Sequence, residues 1–282
     1  MPGMNTTGEP RTTDYNLGRG KLYFSELSGG LPVAWRDLGN TPELVLTIET
    51  EKLEHRSSRE GLKKVDLEVV VGQKLSLRCT LDEINFENLA LFFGGDASSR
   101  ANAGGSPITG AENLVVTEQG RWYDLFADAG GMPAEDIQAS RIYDIGEVTI
   151  ESADGGTAMV EGTDFDVDHE LGRIFVKDGG AMVAGTYNVD VAANATASAT
   201  VHEVSVLRNS AVVGALKFVG VNPADADKVI EYNMHQVRLS AEGDLPLITD
   251  EWATLPLTGT LEENAVADPS SPMLTIVTNP NQ

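Results

Sequence analysis

A single cysteine, Cys79, occurs in the 282 residues, so no intrachain disulfide can form and a disulfide-stapled secreted scaffold is excluded. Cys79 falls in the apolar phase of a strand and reads as a small buried hydrophobe. Aromatic residues make up only 6% of the chain, which argues against a sugar-binding cleft walled by aromatic rings. Basic residues are scarce as well. Twenty Lys and Arg stand against 43 Asp and Glu, a net charge of -23. Tight binding to a phosphate backbone needs clustered cations, so the balance argues against that class of partner. The acidity has two readings: plain solubility, or a surface past which nucleic acid moves without adhering. Long apolar runs are also missing. The longest, around Leu44–Ile48 and Leu89–Phe93, fall far short of the roughly 20 residues a membrane-spanning helix needs. The N-terminal MPGMNTTGEPRTTDYNLGRG has neither the basic nor the apolar region of a signal peptide, and synthesis in a cytoplasm is expected.

What the chain does have is a long period-2 pattern. From Val65 to Leu81 the odd positions are Val65, Leu67, Val69, Val71, Leu75, Leu77, Cys79 and Leu81, broken only by Gln73. This alternation predicts one strand with one buried face, about 58 Å long at roughly 3.4 Å per residue. Gly72 is the place where it would bend or bulge. Leu44, Leu46 and Ile48 alternate upstream, so the pair reads as a long hairpin joined by a charged segment around Glu51–Lys64. Phe86, Leu89, Ala90 and Phe93 then form one apolar helical stripe. Asn85 or Asp82 is its N-cap, Glu87 favours its positive end, and Gly94-Gly95 stops it. A hairpin longer than a monomer can use is an assembly element more readily than a catalytic one.

Along the chain, residues 1–20 form a polar arm and Lys21–Leu27 a first strand. Asp96–Ala111 reads as a loop at a domain boundary. Short strands follow at Asn113–Thr117, Trp122–Phe126, Val148–Ser152, Asp164–Asp168, Arg173–Lys177, Thr186–Ala192 and Thr200–Val206, in the rhythm of a small β-sandwich. Longer strands return at Val212–Val221, Lys228–Ser240 and Ala253–Leu261. Pro256 marks the last as an edge, or as paired on one side only. The expected fold is all-β with one short flanking helix. A discontinuous β core spans 21–95 and 207–262, a β-sandwich of Ig-like type is inserted at 96–206, and 263–282 is a polar tail.

No catalytic constellation emerges. His55, His169, His202 and His235 lack metal-ligand spacing. No G-x-S-x-G, P-loop or H-E-x-x-H motif occurs. Asp164-Phe165-Asp166-Val167-Asp168 starts like a calcium loop, but His169 stands where a glycine is needed and Phe175 where a glutamate is needed. A half-buried strand with an acidic outer face explains it better. Neither an enzyme nor a cofactor is expected.

Several stretches carry a resemblance. They are Tyr15–Phe24 (YNLGRGKLYF), Leu38–Gly61 (LGNTPELVLTIETEKLEHRSSREG), Asn85–Gly95 (NFENLALFFGG), Gly162–Val176 (GTDFDVDHELGRIFV) and Gly214–Leu261. Together and in this order they resemble the major tail tube proteins of long-tailed bacteriophages. The resemblance covers most of the chain, is strongest at its two ends, and rests on the combination, since no single piece is a chemical motif. It implies a two-sheet antiparallel core, homohexameric rings stacked into a tube, and a barrel closed across subunits with a hairpin reaching the next ring. The partners it implies are further copies of the chain, a tape-measure protein, terminator and distal tail proteins, and DNA passing through the lumen without specific binding. The location implied is the virion. The inserted domain, placed outside the tube, favours a tail without a contractile sheath.

Under that reading the charged hairpin residues Glu49, Glu51, Lys52, Glu54, His55, Arg56, Arg59, Glu60, Lys63 and Lys64 are candidates for inter-subunit salt links. Strand phase puts Asp66 and Glu68 opposite the apolar set, as leading candidates to face the lumen. Glu231 and Glu242 follow from the C-terminal strands, and Glu49 and Glu51 join if their strand keeps phase. An alternative reading is a secreted or surface β-sandwich adhesin, which the missing signal peptide disfavours. A carbohydrate-active jelly roll would need a carboxylate pair in an aromatic cleft.

Overall fold

The computed structural model describes residues 18–57, 64–102, 107–126, 141–194, 197, 198, 200–222 and 225–278. The N-terminal half of the elements are β1 (Gly20–Ser28), β2 (Leu31–Pro32), β3 (Arg36–Asp37), β4 (Glu43–Ser57), β5 (Lys64–Leu81), α1 (Phe86–Phe93), β6 (Asp96–Ala101), β7 (Ile108–Val116) and β8 (Arg121–Asp124). The rest are β9 (Val148–Ser152), β10 (Phe165–Asp168), β11 (Arg173–Val176), β12 (Gly185–Val191), β13 (Thr200–Ser205), β14 (Val212–Asn222), β15 (Asp225–Ala241), β16 (Leu255–Leu261) and β17 (Leu274–Thr278). The described residues are mostly β, with one helix and several antiparallel sheets among them. The polar arm expected at 1–20 lies, up to residue 17, outside the described residues. The chain divides into two compact units, Met1–Ala97 with Val204–Gln282, and Ser98–Glu203.

The first unit is built on one sheet in the order β2-β1-β14-β15-β16-β5-β4, with β3 on β1 and β17 on β15. Alternation in each strand sends one set of side chains into a single core: Leu22 and Phe24 from β1, Leu216 from β14, Met234, Val237 and Leu239 from β15, Leu255, Leu257 and Leu261 from β16, Leu77 and Cys79 from β5. Leu91 and Phe92 of α1 complete it. The helix forms where its stripe predicts. The Asn85 side chain accepts from the Asn88 backbone N–H, and Gly94 ends the helix in the left-handed conformation at φ 58°, ψ 42°. A Cβ there would stand 2.9 Å from the Asn209 carbonyl oxygen, which favours glycine twice over.

In the second unit, the sheets β7-β12-β9 and β10-β11-β8 share one core. Val116, Ile150, Val189 and Val191 come from one sheet, Phe165, Ile174 and Val176 from the other, and Ile142, Ile145 and Met182 from the connections. β6 and β13 pair as a two-stranded ribbon, fastened by the Arg100–Glu203 ion pair at 2.7 Å.

Five expectations change. The core expected as two sheets has its strands joined along one hydrogen-bonded path, as a single sheet. Asp96–Ala111 is not a loop: it holds β6 and the start of β7. The C-terminal tail contains β17, which the polar surroundings of Leu274–Thr278 conceal. Strand β16 is interior, between β15 and β5. Pro256 is tolerated because it precedes the ladder to β15, which begins at Leu257↔Ala241; its carbonyl still accepts from Glu242 N–H, and its missing N–H faces that same side, just past the last residue of β15. The charged segment expected to link the hairpin is itself paired as far as Ser57↔Lys64.

Candidate functional site

Strand β16 flanks β5 only along Ser76–Leu81, and β4 is the last strand in its sheet. Outward from Leu75 the hairpin therefore continues as two strands alone, Glu49–Ser57 against Lys64–Lys74. Nine residues of strand reach roughly 30 Å. Along that length the outer backbone groups of both strands have no ladder partner among the described residues. A lone two-stranded ribbon is marginal in water, and its open edges invite pairing.

Two register breaks decide what the arm presents. Glu51 pairs with Gly72 and Lys52 with Val70, so Val71 is skipped; His55 pairs with Leu67 and Arg56 with Val65, so Asp66 is skipped. Directly paired residues share a side of the ribbon. Ile48, Leu46 and Leu44, paired with Leu75, Leu77 and Cys79, therefore point toward the core. Beyond the first break Leu53 pairs with Val69 and His55 with Leu67, on the opposite side. The single buried face expected over Val65–Leu81 is thus confined to Leu75–Leu81. Val65, Leu67, Val69 and Val71 are exposed, and Leu53 is 66% exposed. The extra residue at each break is on β5, so it reverses the side of the β5 residues beyond it while β4 keeps its phase. The sequence marks the first break by Gly72 but not the second.

The charged residues of the arm satisfy one another within the hairpin. Lys52 Nζ donates to Glu68 at 2.7 Å, the His55 imidazole is hydrogen-bonded to Asp66 at 2.5 Å, and Arg56 Nη2 donates to Glu54 at 2.9 Å. The bond from Glu68, and its charge, raise the pKa of Lys52. Glu49 stands opposite Lys74, and Glu51 opposite Gly72. Lys64 pairs with Ser57 through the backbone, while Arg59, Glu60 and Lys63 lie outside the described residues.

The four acids expected together do not share one side. Glu68 is opposite Glu54, on the side that continues the core face, whereas Asp66 meets His55. Glu231, paired with Val219 and Val277, is on the side away from the core, as are Glu49 and Glu51. Glu242 is held by Arg78 at 3.2 Å. Between them that uncovered side carries Thr47, Ser76, Arg78, Thr258 and Thr260. Charge is also unevenly spread: Ser98–Glu203 holds 18 acidic and 5 basic residues, net -13, and the rest of the chain 25 and 15, net -10.

Asn88 is the residue that sequence patterning misses. It is fully buried on a helix otherwise read from its apolar stripe. Its Nδ2 donates to the Leu38 and Glu83 carbonyls, at 3.1 and 2.9 Å, and its Oδ1 accepts from Arg36 Nη1 at 2.7 Å. Arg36 also pairs with Glu87 at 3.2 Å, and burial lowers its pKa while Glu87 opposes that. The helix is thereby fastened to β3, at the root of the hairpin.

The decoy acids have structural roles. Asp164 accepts backbone N–H bonds from Ala181 and Val160, which lower its pKa. Asp166 pairs with Lys177, and Asp168 with Arg173. No group of three metal-ligating side chains occurs among the described residues, and no helix there is long and apolar enough to cross a membrane.

A family described as "Protein of unknown function UCP028589" matches residues 15–125 and 130–273, including the whole hairpin and nearly all of both units. The chain belongs to that family. No curated protein matches it. Family membership thus spans the arm and both cores together, so the hairpin is part of the matched unit and not an appendage to it.

Proposed function

We propose that the chain is a structural virion protein, the tube-forming subunit of a phage tail, with six copies closing a ring and rings stacking into a conduit. The observation that carries this reading is the arm: a ribbon of two strands projecting past its sheet, with open edges and exposed Leu53, Leu67 and Val69 on one side. Burying such side chains against another copy contributes on the order of 1–2 kcal/mol each. The gain repeats around a closed ring, and closure removes the edges. The resemblance of the stretches between Tyr15 and Leu261 to tail tube proteins supports the same reading.

In this reading the uncovered side of the large sheet, with Glu49, Glu51, Glu231 and a band of hydroxyls, lines the bore. A tape-measure protein fills it first, and DNA passes later. Cations share that side, but Arg78 is held by Glu242, Arg238 by Glu262, and Lys74 stands opposite Glu49, so phosphates find few unpaired cations to exchange for their counterions and DNA does not lodge. Glu68 is paired with Lys52 and adds little to the repulsion. The Ser98–Glu203 unit, which holds over half the net charge, is the exterior decoration. Sedimentation and negative-stain microscopy of the purified chain test the proposal. Closed rings or tubes of uniform diameter are expected; a monomer at all concentrations would reject it.

A further inference from the structure

The outer face of the sheet β10-β11-β8 carries two aromatic rings. Phe165, Ile174 and Val176 of this sheet point into the core, and pairing then places Trp122, Phe175 and Asp166 in one row on the other side. Trp122 is 48% exposed. It is nonetheless held: the Arg173 guanidinium stands 4.5 Å from the centre of its ring, and the Phe175 ring is 5.3 Å away, tilted by 51°. A large indole is therefore kept in a set orientation at the surface, where it adds little to the core.

The charges that flank the rings are matched in pairs. Asp166 pairs with Lys177 at 2.8 Å, Asp168 with Arg173 at 2.9 Å and Asp124 with Arg141 at 2.7 Å. Three of the five cations of Ser98–Glu203 are thus gathered here, and the face is neutral in a unit of net charge -13. An ionic partner finds no net charge on the face to complement, and an anion is repelled by the unit around it. Hydrogen-bonding capacity remains. Each carboxylate keeps lone pairs beyond its ion pair, and Lys177, which also donates to the Gly162 carbonyl at 2.6 Å, keeps a third N–H.

We propose that this face binds a neutral glycan chain, with one sugar ring stacked on Trp122 and its hydroxyls bonded to the flanking ion pairs. One side of a pyranose ring is lined by C–H groups and its rim by hydroxyls, so it matches an indole bordered by fixed donors and acceptors. Uncharged sugars suit a neutral face, and uronates or sulfated sugars do not. A flat platform needs one or two rings where a walled cleft needs several, so the 6% aromatic content admits it. The site belongs to the second unit alone and holds whether or not the chain forms tubes.

The test is titration calorimetry of the full chain with short oligosaccharides of glucose (α- and β-linked), mannose, galactose and N-acetylglucosamine, which reads binding per copy in any state of assembly. At least one of these neutral ligands is expected to bind. Trp122→Ala should weaken that binding by at least about ten-fold. Trp122→Phe, which keeps a ring, should lose no more than about three-fold, and so separates loss of the ring from misfolding. Trp252→Ala removes an indole of the first unit that is 96% exposed, and should leave the affinity unchanged. Binding of none of the neutral ligands, equal binding by Trp122→Ala, or tighter binding of an oligouronate or of a polyproline peptide overturns the proposal.

Discussion

Leu53 and Val69 face each other across the hairpin arm, on the side opposite to that which Leu77 and Cys79 bury. Each is well exposed, and neither has a partner in the core. The pair contributes little to the fold and is free to contribute to assembly. Replacing Leu53 by glutamate and Val69 by lysine, an opposite-charge cross-strand pair, should change thermal stability by no more than about 1 kcal/mol. Self-association should fall by at least ten-fold in sedimentation velocity. A large loss of stability with association intact would reverse this assignment.

Asn88 is the opposite case. Truncation to alanine strands the Leu38 and Glu83 carbonyls and deprives Arg36 of its acceptor. Unmade buried bonds cost about 1–3 kcal/mol each, so a total near 3 kcal/mol is expected in urea unfolding. A cost below about 1 kcal/mol would mean that water replaces the side chain.

How much of this was legible in the sequence follows from the same residues. The helix was legible as an element, with Asn85 or Asp82 to start it and Gly94 to stop it, but not its face: Asn88, Leu91 and Phe92 are buried, while Phe86, Leu89 and Phe93 of the expected stripe are half-buried. The hairpin was legible from alternation, and Gly72 marked its first break. The side that Leu67, Val69 and Glu68 occupy was not. It depends on which residue is skipped in pairing, and period-2 reading assumes that none is. Strands β6 and β17 escaped because Asp96–Ala101 and Leu274–Thr278 lie in polar context, and partners fixed elsewhere in the fold recruit them. Asn88 escaped because a polar residue in a short helix reads as surface. The candidate acids were legible as charges, but their ion pairs were not, since the partners are set by register.

Cys79 tests the core face of the hairpin root. Burial pushes its thiol pKa up to about 12, and it packs among Leu77, Leu81 and Leu257. In native buffer at pH 8 it should react with a thiol reagent at least a hundred-fold more slowly than in denaturant. Equal rates would place β5 outside the core.

Asp268 gives a pH signature. Its carboxylate accepts from the Ser270 hydroxyl and N–H, from Thr275 and from the Ser271 N–H, which hold its pKa down to about 2. The folded value is below the unfolded value of about 3.9. The contribution is therefore fully present above about pH 4 and disappears as pH falls through about 2. Asp268→Asn should lower the melting temperature at pH 7, and the gap from wild type should close between about pH 4 and pH 2. A gap independent of pH would show that the carboxylate's charge is not involved.

The central claim is that this chain builds a tube through its arm, and electron microscopy of two purified proteins tests it most directly. One is the full chain; the other has residues 49–74 replaced by a two-residue Asn-Gly turn, leaving the β4–β5 pairing at Leu44–Ile48 with Leu75–Cys79. The account predicts rings or tubes from the first, and from the second a folded, β-rich monomer by circular dichroism. Identical assemblies from both proteins, or monomers from both, would contradict it.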